Sequence, residues 1–148
     1  MQNISQTLAG RVAVTRLLPL SISELKEDAN IDTNTLMWKG FYPGVWGDGK
    51  DPGNVYDSYV STYLQRDVRQ ILNIKDLSLF QKFLTIVASR VGNVFIASSI
   101  ASELGVDYKT IQSWMSILET SYTAFLLQLF HRNIGKRMTK TLKVYFYD

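Results

Sequence analysis

The stretch between residues 97 and 119 constrains the fold more than any other part of the chain. Residues 97–104 have the apolar spacing of a short helix, and Gly105 follows where a helix end needs a left-handed residue. Asp107 can then cap a second helix over residues 108–119. Its inward residues are Ile111, Trp114, Met115 and Leu118. Two helices joined by a glycine-centred turn are typical of the helix–turn–helix.

Two strand-like segments follow the second helix, over residues 122–130 and 142–147, with a turn sequence at 133–136 between them. A strand pair in this place forms a wing, so the sequence predicts a winged helix. Upstream, apolar residues recur at helical spacing over residues 55–72 and 77–91. The predicted fold class is therefore mainly α with a small β component (α+β): a helical linker plus a winged helix-turn-helix.

Near the start of the chain, residues 11–18 alternate as a strand does, and Pro19 ends the pattern. Ser21 and Glu24 have the spacing of a capping box, which predicts a short helix over residues 22–28. A lone strand leaves its backbone polar groups unpaired, so this one is expected to pair with the wing or with a second molecule.

Basic residues are concentrated late in the sequence. Residues 1–127 carry 11 Lys and Arg against 12 Asp and Glu, whereas residues 128–148 carry five against Asp148 alone. Such a cluster attracts an anionic partner, most often nucleic acid, or simply keeps a hairpin soluble. Both interpretations stay open at this point.

If the winged helix binds DNA, its second helix lies in the major groove. Gln112 then suits an adenine edge, and Lys109 suits a phosphate or a guanine. Basic wing residues would lie against the DNA backbone. The candidate nucleic-acid-binding residues are Lys109, Thr110, Gln112 and Ser113, with Ser116 beside them on the helix, and Arg132, Lys136, Arg137 and Lys140 in the wing. Winged helices also serve as protein–protein modules, which is the competing interpretation.

Several function classes are excluded by composition. The chain has no cysteine, which rules out disulfides, a thiolate nucleophile and zinc sites with sulfur ligands. With His131 as the single histidine, a conventional catalytic triad and a histidine-rich metal site are not expected. No catalytic or metal-binding residue is therefore assigned. The apolar runs are short and residues 1–10 lack signal-peptide features, so no membrane span and a cytoplasmic location are expected.

Residues 40–54 are rich in glycine and proline and predict a loop. Gly44 to Lys50 formally fits G-x-x-x-x-G-K, the start of a phosphate-binding loop. Asp51 stands where a Ser or Thr should reach the magnesium ion, and its carboxylate would repel phosphate. Pro52 and Gly53 are also expected to prevent an immediate helix. The match is therefore interpreted as a coincidence.

The order of motifs resembles a family of bacterial and archaeal AAA-type ATPases. The resemblance covers nearly the whole chain, and no single motif carries it. The matching segments are Ser5 to Val12, Leu18 to Ser21 with Glu24, Gly40 to Pro43, Tyr59 to Val68, Ile100 to Val106, Lys136-Arg137, and Lys143 to Asp148. The resemblance implies a P-loop domain upstream and a nuclease-like domain of unknown function downstream. It divides the chain into the end of an ATPase core (1–30), a loop and helical linker (31–92), and a winged helix running into the next domain (93–148).

From this resemblance the chain is expected to be a non-catalytic regulatory or partner-binding region. Arg66, Asp67 and Arg69 either couple it to the ATPase core or form a solvated helix face with a local ion pair. It contains no Walker motif, so ATP and Mg²⁺ are implied only for the parent protein. The expected partners are the upstream core and either DNA or another protein. Two alternatives remain: the front portion of a nuclease-like enzyme, and a purely structural protein–protein module.

Overall fold

Six α-helices and two β-strands make up the part of the chain that the structure, a computed structural model, describes. That part comprises residues 13, 15, 17–25, 31–64, 77–128, 130 and 142–148. The elements are α1 (Thr33–Lys39), α2 (Pro43–Trp46), α3 (Pro52–Ser58), α4 (Leu77–Ser89), α5 (Ala97–Leu104), α6 (Tyr108–Thr120), β1 (Ala124–Leu127) and β2 (Lys143–Phe146), and a π-helical segment, Tyr59–Leu64, continues α3. The predicted class, mainly α with a small β component, is confirmed.

The hydrophobic core lies where α4, α5, α6 and the two strands meet. Phe83 is fully buried, and its ring centroid lies 5.4 Å from that of Trp114. Phe80 meets the same indole edge-on, also at 5.4 Å. Large aromatic side chains bury the most apolar area per residue and therefore dominate the stability of such a core. The other buried members are Val87, Ile100, Ala101, Ile111, Met115, Ile117, Leu118, Ala124 and Val144.

The predicted helix–turn–helix is present with the expected local chemistry. Gly105 ends α5 in the left-handed conformation, with φ 66° and ψ 33°. The Asp107 carboxylate accepts a 2.7 Å hydrogen bond from the Lys109 backbone N–H at the start of α6. Four residues predicted to point inward from α6 are buried, and Ile117 joins them. The glycine turn and the aspartate cap therefore fix where each helix stops and starts.

Replacing Asp107 by Ala is expected to lower the free energy of unfolding by about 1 kcal/mol, because a backbone N–H of α6 loses its acceptor. Asp107→Asn is the matched control. It removes the charge but keeps an oxygen that can cap the helix, so stability should stay close to the wild-type value. Chemical denaturation measures both variants. Equal losses for Ala and Asn would show that charge, not capping, carries the effect.

The two strands form an antiparallel pair in which Ala124 faces Phe146 and Leu127 faces Lys143. On its other edge β2 meets residues 92–95, since Gly92 N–H donates to the Val144 carbonyl at 2.8 Å. An isolated bridge between Val94 and Lys143 completes this contact. β2 therefore has hydrogen-bonded neighbours on both sides, as its buried Val144 requires.

Two upstream segments differ from expectation. Of the strand predicted over residues 11–18, the four described residues (13, 15, 17 and 18) belong to no strand, and the other four lie outside the described residues. The predicted loop over residues 40–54 contains α2 and the start of α3. Each of these helices has proline at its first position, where the missing N–H would be unpaired anyway. The loop prediction, which rested on composition alone, therefore missed the starts of both helices.

Of the helix predicted over residues 22–28, the structure describes residues 22–25, and these form a turn; residues 26–28 lie outside the described residues. Its capping box is present, because both the backbone N–H and the hydroxyl of Ser21 donate to Glu24 Oε2. The long helix predicted over residues 55–72 is not a regular α-helix throughout. It is α-helical up to Ser58 and π-helical over Tyr59–Leu64. Residues 65–72 lie outside the described residues.

The predicted boundaries at residues 30 and 92 stay a prediction. Around the second of them, α4 from the predicted linker packs its Phe80, Phe83 and Val87 into the same core as α5 and α6. Within the described ranges, no helix has the length and apolar character needed to cross a membrane.

Candidate functional site

A cleft of about 400 Å³ opens between the residue 42–60 region, α4 and the end of β2. Its polar groups come from Gln81, Thr85, Thr123 and Asp148. Within the described part of the chain, none of the residues that line it is a lysine, arginine or histidine. The rest of the wall is mainly aromatic: Tyr42, Tyr56, Tyr59, Tyr122, Phe146 and Tyr147. A concave, mostly apolar site with a few polar groups is the usual form of a small-molecule pocket.

The Asp148 carboxylate is held at one end of this cleft by the turn after α1. The Phe41 backbone N–H donates to both carboxylate oxygens at 2.9 Å. The Tyr56 hydroxyl lies 2.9 Å from Asp148 Oδ2 and 2.9 Å from the Lys39 carbonyl oxygen. A hydroxyl has one proton, so Tyr56 donates to one of these two acceptors at a time. These contacts fix the carboxylate although it is exposed to solvent.

The same turn is anchored by further hydrogen bonds. The Trp46 indole N–H donates to the Gly40 carbonyl at 2.9 Å, and Leu20 N–H donates to the Phe41 carbonyl at 2.8 Å. The Lys39 ammonium lies 4.6 Å from the centroid of the Trp46 ring, a cation–π contact. Nearly every polar backbone group of the turn therefore has a partner, which makes it a rigid support for Asp148.

Gly40 is the residue on which this arrangement depends. Its backbone has φ 61° and ψ −157°, a region that essentially only glycine adopts. A Cβ atom at this position would lie 2.8 Å from the Asp148 carboxylate oxygens and far inside contact distance of the Tyr56 hydroxyl. Any side chain at residue 40 would therefore force the tyrosine and the carboxylate away from the turn.

The tyrosine rings on this side of the cleft are packed against one another. The Tyr42 and Tyr56 centroids are 5.6 Å apart with the rings at 88°, and those of Tyr42 and Tyr59 are 5.1 Å apart. Burial raises the pKa of Tyr42 above its ordinary value, and a hydrogen bond with Tyr59 raises it further. Burial and the hydrogen bond to Asp148 likewise raise the pKa of Tyr56. Both phenols are therefore neutral at physiological pH.

Tyr122, which also lines the cleft, has a strained backbone. Its φ of 54° is in the left-handed region, which is costly for a residue that carries a Cβ atom. Its ring lies 6.2 Å from that of Tyr147, edge to face. Strain of this kind persists where the surrounding structure fixes the residue, and it often accompanies a functional site.

The candidate nucleic-acid-binding residues fall into two groups. On α6, Lys109 and Gln112 are exposed, as is Ser116, whereas Thr110 and Ser113 are half-buried. Arg132, Lys136, Arg137 and Lys140 lie outside the described residues, as do the coupling candidates Arg66, Asp67 and Arg69.

The match of Gly44 to Lys50 to a phosphate-binding loop is a coincidence. The expectation that Pro52 and Gly53 prevent an immediate helix is, however, wrong. A helix does begin directly after the match, because Pro52 is at the first position of α3. Its N-terminus is instead capped by Asp51, whose carboxylate accepts from Asn54 N–H at 3.1 Å. The Lys50 ammonium forms a 2.7 Å salt bridge with Asp48. An aspartate therefore occupies the place that a phosphate would need. Among the described residues, no three His, Cys, Asp or Glu side chains come together as a metal site would require.

Sequence reasoning missed the cleft, because Tyr56 and Tyr59 were assigned to an apolar helix stripe. Their hydroxyls were the available signal. A buried tyrosine needs a hydrogen-bond partner, so a stripe of tyrosines rather than leucines indicates a partly polar surface.

Comparison with known proteins identifies the family. The chain belongs to the DUF8612 family, a domain of unknown function, which matches residues 30–148. It is similar to two uncharacterized mycobacterial proteins, Rv2008c of Mycobacterium tuberculosis and Mb2031c of Mycobacterium bovis, each 26% identical over 146 residues. The match covers 97% of this chain and 32% of each relative, so the chain spans about a third of their length. No solved structure matches it.

Proposed function

We propose that the chain is a non-catalytic, partner-binding region of a larger AAA-type ATPase, and that its winged helix binds double-stranded nucleic acid. The observation that carries this proposal is the packed α5–Gly105–α6 unit, which leaves a polar face of α6 exposed. The order α4, bridge at Val94, α5, α6, β1, β2 supports the winged-helix interpretation.

The exposed face of α6 has the dimensions and chemistry for groove recognition. Its 13 residues make a rod about 20 Å long at 1.5 Å per residue. Lys109 and Gln112 are three residues apart and Ser116 is four further on, so all three lie on one side. Gln112 can pair with an adenine edge, and Lys109 can contact a phosphate or a guanine.

The strand pair supports a second contact with the nucleic acid. Leu126 N–H donates to Glu119 Oε1 at 3.3 Å, so β1 runs back beside the last turn of α6. Because Leu127 of β1 pairs with Lys143 of β2, the connection between the two strands begins and ends at the same end of the sheet. This connection contains the candidate basic residues Arg132, Lys136, Arg137 and Lys140. Positive charge there would displace counterions from phosphates and add sequence-independent affinity.

Coupling to an ATPase core is the part of the proposal that rests on the motif order rather than on contacts. Arg66, Asp67 and Arg69 are its candidate coupling residues. The relatives are about three times as long as this chain, and the activity of the whole protein is part of the same proposal.

Fluorescence anisotropy of the chain with a labelled DNA duplex across a salt series tests nucleic-acid binding. We expect affinity to fall steeply with salt, and the Lys136→Glu/Arg137→Glu variant to lose binding at moderate salt. Lys109→Glu should weaken binding roughly tenfold and reduce the salt slope by about one. Lys82→Glu, which changes an exposed lysine of α4, is the charge-matched control and should bind within about twofold of wild type.

Absence of binding at low salt would overturn the nucleic-acid proposal and leave a protein partner for α6. Equal losses for Lys109→Glu and Lys82→Glu would show that only net charge matters, and this would argue against a specific α6 surface.

A further inference from the structure

We propose that the cleft between α4, the residue 42–60 region and the end of β2 binds a small organic cation of the quaternary ammonium class, with its tyrosine rings around the cation and Asp148 as the counter-charge. This site is separate from the α6 surface, and the two proposals can fail independently.

Two groups of packed aromatic rings line the cleft. In the first group Tyr42 lies with Tyr56 and Tyr59, at centroid separations of 5.6 and 5.1 Å. Tyr122 and Tyr147 form the second group, 6.2 Å apart and edge to face. The negative face of an aromatic ring attracts a cation, and several rings around one cavity add their attractions. Such cages are the usual protein solution for quaternary ammonium groups.

The charge of the cleft favours the same ligand. Asp148 is the only charged residue in its described lining, and neither salt bridge found among the described residues involves it. Its partners, Phe41 N–H and the Tyr56 hydroxyl, are neutral donors, so they hold the carboxylate in place without cancelling its charge. An anion would be repelled here, and a neutral ligand that covers the carboxylate would bury an uncompensated charge.

The hydrogen bonds of Asp148 are compatible with a ligand that donates none. The Phe41 N–H lies 2.9 Å from both carboxylate oxygens, and the Tyr56 hydroxyl lies 2.9 Å from Oδ2, so the carboxylate is held without a donor from the ligand. A quaternary ammonium donates no hydrogen bond and needs only rings and a nearby negative charge. The cavity of about 400 Å³ is within the range of small-molecule sites.

The test compares choline with its neutral isostere 3,3-dimethyl-1-butanol in a ligand-observed NMR titration of the chain. We expect choline to bind roughly tenfold more tightly, because the two differ only in charge. Tyr147→Leu and Asp148→Asn should each weaken choline binding by several-fold to tenfold. Tyr147→Phe keeps the ring and should keep the affinity. Tyr108→Leu, which removes an exposed tyrosine outside the cleft, is the control and should bind as wild type does.

Melting curves recorded in parallel separate a lost site from a lost fold. If Asp148→Asn unfolds, the Phe and Leu variants of Tyr147 still test the site. Equal binding of choline and the alcohol would overturn the proposal, as would absence of choline binding or an equal loss in Tyr108→Leu. Lys109→Glu should leave choline binding unchanged, since that lysine is not in the cleft.

Discussion

Phe83→Ala is expected to lower the free energy of unfolding by about 3–5 kcal/mol, enough to unfold much of the population of a marginally stable domain. Phe83 is fully buried, with ring neighbours Phe80 at 5.7 Å and Trp114 at 5.4 Å. Truncation removes the buried ring and leaves a cavity that rigid aromatic neighbours cannot easily fill. Urea denaturation followed by tryptophan fluorescence measures the change.

Lys82→Ala is the matched control, because Lys82 is next to Phe83 on α4 and its side chain is exposed. Its effect should stay within about 0.5 kcal/mol. A loss of less than 1 kcal/mol in Phe83→Ala would mean that α4 does not pack against α6 as described.

Gly40→Ala is expected to lower the free energy of unfolding by about 2–4 kcal/mol, from backbone strain together with lost hydrogen bonds to a charged group. The new methyl group would displace the Tyr56 hydroxyl and the Asp148 carboxylate from their contacts. Choline affinity should fall with it, since the carboxylate would no longer be held at the cleft. Denaturation and the NMR titration read out the two effects separately.

Variants of Gly49 and Gly44 separate the cost of backbone strain from the cost of the steric clash at Gly40. Gly49 also has positive φ but open space around its Cβ direction, so Gly49→Ala should cost less than Gly40→Ala. Gly44 has neither a positive φ nor a close neighbour, and it lies in α2, so Ala there should be neutral or slightly stabilising. If all three variants had the same stability, the close approach at Gly40 would have no energetic weight.

The helix–turn–helix could be predicted from the sequence because each of its signals is local. Gly105 and Asp107 act on residues within one turn of themselves, and the periodicity of α6 is strong over 13 residues. The starts of α2 and α3 were missed because the glycine and proline content of residues 40–54, which includes Pro43 and Pro52, predicted a loop. At the first helical position proline has the opposite effect.

The cleft could not be predicted, since its parts are far apart in the chain. Phe41 and Asp148 are separated by 107 positions, and no spacing rule connects a backbone N–H with a carboxylate at that distance. Likewise, nothing local indicates that Gly40 must admit a tyrosine hydroxyl contributed by α3. What sequence offered was an unusual number of tyrosines, eight in 148 residues, without their arrangement.

The position of β2 between β1 and residues 92–95 has a consequence for synthesis on the ribosome. Val144 is fully buried in the core, and the polar backbone of residues 92–95 pairs with β2. Residues 92–95 are synthesised about fifty residues before β2. Between the emergence of β1 from the exit tunnel and that of β2, α4, α5 and α6 can collapse together, but the edges of β1 and of residues 92–95 stay open to other chains. The emerging domain is therefore most exposed to misassembly in that interval.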